Sequence, residues 1–253
     1  MLINDKDELC SRRLILIKQD NTQYCCEHHV CKVESETCVS LVPIFNHLNK
    51  EQMDEIANVT RSITFKKGDT IYRAGDQSDS LYIVSSGKIK IYRLSESGKE
   101  QLLRILNPGD FTGELALFSE TVHEAYAEAI VETSVCTIKR FELQELLIKY
   151  PSISLMLMAE FSHRLEQSEK QTTRFATERV ETRIAMFLLE NINNDVKSMD
   201  VTLPMNKKDM ASYLGTTPES ISRKLKELEE LGLIKQLSNK QIRILDVDGL
   251  MVV

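Results

Sequence analysis

Hydrophobic and polar positions change their rhythm along the chain. Over residues 44–60 (IFNHLNKEQMDEIANVT), Phe45, Leu48, Met53 and Ile56 recur at helical spacing, and Asn49 stands where a side-chain cap would precede Gln52. From Ser62 to about Arg140, apolar and polar residues alternate in short runs. Lys67-Gly68-Asp69, Gly75-Asp76, Ser86-Gly87, Ser97-Gly98 and Pro108-Gly109-Asp110 interrupt them. Turn signals roughly every 8–12 residues predict a small antiparallel barrel or jelly roll.

Helical spacing returns at Phe141. Ile153, Leu157, Phe161 and Leu165 lie at i, i+4 spacing, and Pro151 suits the first turn of a helix. A helix from Pro151 to about Ala176 would span roughly 38 Å at 1.5 Å per residue. Its first half is apolar nearly all round. Its second half is polar, with Leu165 and Phe175 as isolated knobs. One small domain cannot cover such a helix. It is expected to pack on its own β domain and on a partner helix, with Ile153, Leu157, Phe161 and Leu165 as dimerisation residues.

Residues 179–253 carry the most specific pattern. Lys207 to Leu214 predicts a short helix, Gly215-Thr216-Thr217 a turn, and Pro218 to Leu231 a second helix capped by Thr217 and ended by Gly232. Two helices joined by a short Gly-containing turn make a helix-turn-helix. Two alternating segments around Ser238-Asn239 follow as a hairpin wing. In this geometry the first residues of the second helix meet base edges in the major groove of double-stranded DNA. Here these are Glu219, Ser222 and Arg223, with Lys224 and Lys226 behind them and Thr217 and Ser220 at the cap. Arg223 can grip guanine O6 and N7, and Glu219 can accept from cytosine N4, so one G·C pair offers both partners. Ile221, Leu225 and Leu228 should point into the core, and Glu227, Glu229 and Glu230 should stay off the DNA backbone.

Bulk charge argues the other way. Among 253 residues, 28% are charged and the net charge is −6, which by itself disfavours a nucleic-acid binder. The basic residues that matter are gathered on one helix face. The longest apolar run is only six residues, and the charged start MLINDKDELC has no apolar core. A cytoplasmic protein without membrane contact is expected. Catalysis is not expected. His123 is the only His in the β region, which excludes a facial metal triad. No G-x-S-x-G, P-loop or H-E-x-x-H motif occurs.

Cysteine use is uneven. Five of the six Cys (Cys10, Cys25, Cys26, Cys31 and Cys38) precede residue 39, beside His28 and His29, and Cys136 stands alone in the β region. In a reducing compartment a dense thiol cluster points to a metal or redox site rather than to a structural disulfide. Cys10 has no evident role.

The order of β domain, long helix and winged helix-turn-helix, with FKKGDTIYRAGDQSDSLYIVSSGKIKIY, NPGDFTGELALF and PESISRKLKELEELG, resembles the CRP/FNR family of bacterial transcription regulators. The resemblance covers nearly the whole chain. It implies an α+β protein with a Cys-rich N-terminal arm (1–43), a cyclic-nucleotide-binding-like β-roll or jelly roll (44–150), a dimerisation helix (151–178) and a winged helix-turn-helix (179–253). It further implies a homodimer that binds DNA and has RNA polymerase as a partner. Glu219-Ser220-Ile221-Ser222-Arg223 is similar to the FNR branch, in particular its Flp-type members in low-GC Gram-positive bacteria. That likeness implies TTGAT half-sites in an inverted repeat.

Family members that bind cAMP hold its phosphate with an Arg-Ser pair where this chain has Glu124-Ala125. No Lys or Arg occurs between Arg104 and Lys139, so a phosphate there is expected to be repelled and cAMP is not expected as the effector. The FNR branch implies instead a 4Fe–4S cluster on three N-terminal cysteines and one β-roll cysteine. Here the set favoured is Cys26, Cys31, Cys38 and Cys136, with Cys25 as substitute. The spacing Cys25-Cys26-x4-Cys31-x6-Cys38 departs from the C-x2-C-x5-C of FNR-like arms. A zinc site using His28 or His29 and a dithiol–disulfide switch therefore stay open, as does a constitutive dimer with no effector.

Overall fold

The computed structural model describes residues 39–118, 121–192 and 199–253. The first complete helix, α1 (Lys50–Val59), starts from a reciprocal cap: Asn49 Oδ1 accepts the Gln52 N–H, and Gln52 Oε1 accepts the Asn49 N–H, both at 3.0 Å.

Ten strands follow: β1 (Arg61–Phe65), β2 (Thr70–Tyr72), β3 (Gln77–Ser78), β4 (Ser80–Ser86), β5 (Ile89–Leu94), β6 (Glu100–Leu106), β7 (Phe111–Thr112), β8 (Thr121–Val122), β9 (Tyr126–Ala129) and β10 (Thr133–Lys139). They form two antiparallel four-stranded sheets, ordered β1-β10-β4-β7 and β2-β9-β5-β6, and a short β3-β8 ribbon. Of the two architectures the alternation allowed, this is the roll: the sheets stay open and no barrel closes.

Side chains on β4 and β10 alternate between two cores, as a strand's period of two requires. Val84 and Val135 meet Ile89, Ile91 and Leu106 of the second sheet. Leu81, Ile83, Cys136 and Ile138 face the other way, into a core shared with α1 and the helices that follow.

Those helices are α2 (Arg140–Lys149) and α3 (Pro151–Thr177). They separate at Tyr150, because the residue before a proline is pushed out of helical conformation. The 27 residues of α3 make a rod of roughly 40 Å. Beyond it lie α4 (Val180–Glu190), β11 (Asp200–Thr202), α5 (Lys207–Tyr213), α6 (Pro218–Glu230), β12 (Ile234–Gln236), β13 (Gln241–Ile244) and α7 (Val247–Met251), with the strands ordered β11-β13-β12. The sequence pattern did not announce β11 or α7. β11 has only three residues and completes the wing from outside it.

Candidate nucleic-acid interface and sensor sites

α5 and α6 are joined at Gly215, whose φ of +64° favours glycine. A Cβ there would lie 3.5 Å from both Arg183 and Phe175. Phe175, a knob in the sequence, thus lies beside this turn, and the Arg183 guanidinium sits 5.3 Å from its ring centroid. Thr217 Oγ1 caps α6 by accepting the Ser220 N–H at 3.2 Å, with Pro218 in the first turn. Ile221, Leu225 and Leu228 are buried. Glu219, Ser222 and Arg223 are exposed along the opposite edge.

Two ion-pairing patterns involve these residues. Arg223 lies 3.8 Å from Glu227, one turn toward the helix C-terminus, and Glu219 lies one turn the other way on the same face. Lys224 turns inward: its Nζ is 2.7 Å from Glu227 and 3.5 Å from Glu181 of α4. In this arrangement it ties α6 to α4.

The expected dimer residues also divide. Ile153 and Leu157 are fully buried within their own chain, where they hold α3 to the β-roll and α2. Phe161 is half-buried, its ring edge-on to Phe118. Leu165 is 61% exposed. The most exposed of the large apolar residues on α3 are Leu155, Met158 and Leu165, spaced by three and seven, so they share one stripe. The β-roll claims the face through Ile153 and Leu157, so the exposed large apolar positions of the first half are Leu155, Met156 and Met158.

A cavity of about 700 Å³ lies between the β-roll and α3. Gly113 opens its rim at φ +84°, where a Cβ would run into the Ser80 carbonyl. Glu114 follows, and its Oε1 accepts from Arg104 of β6 at 3.2 Å and from Arg164 of α3 at 2.9 Å. The Arg164 guanidinium also lies 4.2 Å over the Phe111 ring. On the other wall, His123 stacks on Tyr72 at 3.7 Å, and the Tyr72 hydroxyl bonds Thr112 at 2.7 Å. Burial pushes the Tyr72 hydroxyl up to about 12 and lowers His123, against Asp76, Asp79 and Glu114, which act to raise it. Among the described residues Glu114 Oε2 and His123 Nε2 are buried without a hydrogen-bond partner.

The expectation that a phosphate would meet no cation fails here. Arg93, Arg104 and Arg164 all line the cavity, two from strands that precede the cation-free stretch and one from the long helix that follows it. Each is engaged by a carboxylate: Arg93 by Glu124, Arg104 and Arg164 by Glu114.

Cys136 is fully buried. It points to the helix side of its sheet, into the core that holds Val39, Val42 and Phe45. Cys25, Cys26, Cys31, Cys38, His28 and His29 lie outside the described residues. Among the described residues no three His, Cys, Asp or Glu side chains are placed to hold a metal, and no helix is long and apolar enough to cross a membrane.

Known proteins can now be set beside this geometry. Residues 62–150 match the cyclic nucleotide-binding domain, and residues 182–253 match the Crp-like helix-turn-helix domain. The probable transcriptional regulator flp of Lacticaseibacillus casei is 37% identical over 216 residues, covering 85% of this chain and 97% of the relative. The fumarate and nitrate reduction regulatory protein of Salmonella typhimurium is 30% identical over 227 residues, covering 87% of this chain and 90% of the relative. Among solved structures, FixK2 from Bradyrhizobium japonicum superposes with a TM-score of 0.66 at 29% identity, covering 76% of this chain and 96% of that one. Two domains in the family's order, on the family's fold, with relatives matched along nearly their whole length, lead to one conclusion: this chain is a DNA-binding transcription regulator of the CRP/FNR family and not an enzyme.

Proposed function

We propose that this regulator responds to oxygen or oxidant and binds TTGAT half-sites in an inverted repeat as a homodimer. In this proposal Glu219, Ser222 and Arg223 read base edges, the cap residues Thr217 and Ser220 approach the backbone, and RNA polymerase is the partner in transcription. Residues 1–43 serve as the sensing arm, 44–150 as the β-roll, 151–178 as the dimerisation helix and 179–253 as the reader. The signal is carried by Cys26, Cys31, Cys38 and Cys136, with Cys25 able to substitute.

The observation that carries this is the position of Cys136. It is sealed in an apolar core that includes Val39, the residue after Cys38, so the chain between the N-terminal thiols and that core is one peptide bond long at its nearest point. Val39, Val42 and Phe45 are fully buried in the same core as Cys136. Four residues beyond Cys136, Arg140 begins α2, and α3 follows directly. A change at Cys136 therefore lies close in sequence to the helix that joins sensor and reader.

Among the described residues no three His, Cys, Asp or Glu side chains come together, so a site of four thiolates that includes Cys136 would draw the other three from residues 1–38, where every other cysteine of the sequence lies. A four-thiolate set suits a 4Fe–4S cluster, which supplies iron–thiolate bonds that oxidant can break. The names of several relatives, anaerobic regulatory protein and fumarate and nitrate reduction regulatory protein, favour that choice. Its rivals are a zinc site with His28 or His29, and a disulfide formed when two thiols give two electrons and two protons to an oxidant. A cyclic nucleotide is disfavoured as the signal, because its phosphate would have to displace Glu114 or Glu124 from the cavity guanidiniums.

Absorption and metal content of anaerobically purified protein test the choice. A broad band near about 400 nm that bleaches in air, with iron and sulfide present and lost in Cys136→Ala, is the expected result. A colourless protein that loses two titratable thiols on oxidation selects the disulfide instead. A protein whose thiols, metal content and DNA affinity all ignore oxidant overturns the proposal.

A further inference from the structure

The β-roll and the reader meet at one strand. The hydroxyl of Ser212, in the last turn of α5, accepts the Leu102 N–H of β6 at 2.6 Å and donates to the Glu100 carbonyl at 2.8 Å. The Gln101 side-chain amide donates to the Ser212 carbonyl at 2.6 Å. One side chain of α5 is thus bonded into the backbone of a sensor strand, as a neighbouring strand would be. Leu102 is fully buried, and its neighbours in the apolar core are reader residues such as Met210, Ala211 and Leu214.

A register shift makes this possible. Ile91 of β5 pairs with Arg104 and Tyr92 with Leu102, leaving Leu103 without a counterpart. Such a bulge re-aims the side chains on either side of it. Leu103 and Arg104 line the cavity, while Leu102 and Ile105 pack into the reader core. β6 therefore has one edge in the sensor cavity, where Arg104 bonds Glu114, and one in the reader.

We propose that Ser212, with Gln101 and Leu102, is the positioning contact that fixes the direction of the recognition helix relative to the β-roll. The face it uses is separate from the DNA edge: Glu219, Ser222 and Arg223 are all exposed while Ser212 is engaged. The latch and DNA can be held together, so the latch pre-organises the reader and lowers the ordering cost of binding. In a dimer the two recognition helices must match two half-sites about one DNA turn apart. A reader with a fixed direction accepts one spacing; a released reader accepts several.

This inference rests on the chain binding DNA as a dimer. The test therefore uses palindromic duplexes selected from random sequence by the wild-type protein, then respaced by one base pair in either direction. Ser212→Ala is expected to weaken binding at the selected spacing by on the order of tenfold, the equivalent of about two modest hydrogen bonds, and to leave binding at the altered spacings nearly unchanged. Hydrogen exchange at the Leu102 amide should speed up in the same variant. Gln101→Ala, at a half-buried position of β6, should flatten the spacing preference in the same direction and serves if Ser212→Ala folds poorly. A loss shared equally by all spacings makes Ser212 a stability residue and overturns the proposal, as does an unchanged spacing profile with unchanged Leu102 exchange. If selection yields no palindrome at all, it is the dimeric DNA-binding reading that fails, and the exchange measurement alone decides whether the latch exists.

Discussion

Arg223 and Lys224 are adjacent in sequence, yet their side chains are exposed to very different degrees. Arg223 is 69% exposed in its side chain; Lys224, at 24%, bridges Glu181 and Glu227. Residue type and spacing on α6 were legible from the sequence, because an amphipathic helix with a cap at Thr217 fixes which positions face out. The capture of Lys224 was not, because its partner Glu181 lies 43 residues earlier, on another helix. Arg223→Ala is expected to cost about 1–3 kcal/mol on specific DNA and to relax selection at one G·C pair. An equal loss on random DNA, measured by competition binding, contradicts base reading. Lys224→Met should leave the salt dependence of binding unchanged.

His123 gives a prediction with a definite sign. Burial lowers its folded pKa below the ordinary 6.5, so as pH falls the unfolded chain takes up the proton first. Its contribution to stability is present above about pH 6.5 and is lost as pH falls below it. Between about pH 7.5 and about pH 5.5 the melting temperature of the wild type should fall more steeply than that of His123→Gln. Parallel slopes contradict a buried neutral imidazole.

At the scale of the element, α3 shows what periodicity can and cannot say. Its length, its start at Pro151 and its two-sided apolar first half were readable from the order of residues. Which stripe belongs to which neighbour was not. Residues 153 and 157, or 155 and 158, equally suit a partner helix until the β-roll takes one pair. The packed structure leaves Leu155, Met158 and Leu165 bare. Leu155→Glu with Met158→Glu should weaken self-association by on the order of a hundredfold, from the loss of two apolar side chains at the seam. Ile153→Glu should instead destabilise the β-roll itself, because it buries an unpaired charge. Sedimentation equilibrium distinguishes the two; an unaffected dimer in the double variant moves the seam elsewhere. β6 makes the same point about strands. Its alternation predicted a strand, but the bulge at Leu103 that turns one edge to the cavity and the other to the reader has no signature in the apolar pattern.

For the whole molecule, the sequence carried the architecture in its punctuation: glycine turns, the Pro151 break, the Thr217 cap and the Gly215 turn. It did not carry the meetings between distant segments, such as Gln101 with Ser212 or Arg104 and Arg164 with Glu114, or the shared core of Cys136 and Val39. Those depend on how two open sheets and a 27-residue helix settle on each other. The proposed signal path runs from the thiols through the core around Cys136 to α2 and α3, and then to the reader. The most direct test is an operator-DNA titration of wild type and Cys136→Ala, prepared without oxygen and measured before and after exposure to air. The wild-type affinity should change markedly on exposure, while the variant should give the same affinity in both states. A variant that answers air as the wild type does, or a wild type that does not answer at all, contradicts a sensing role for Cys136.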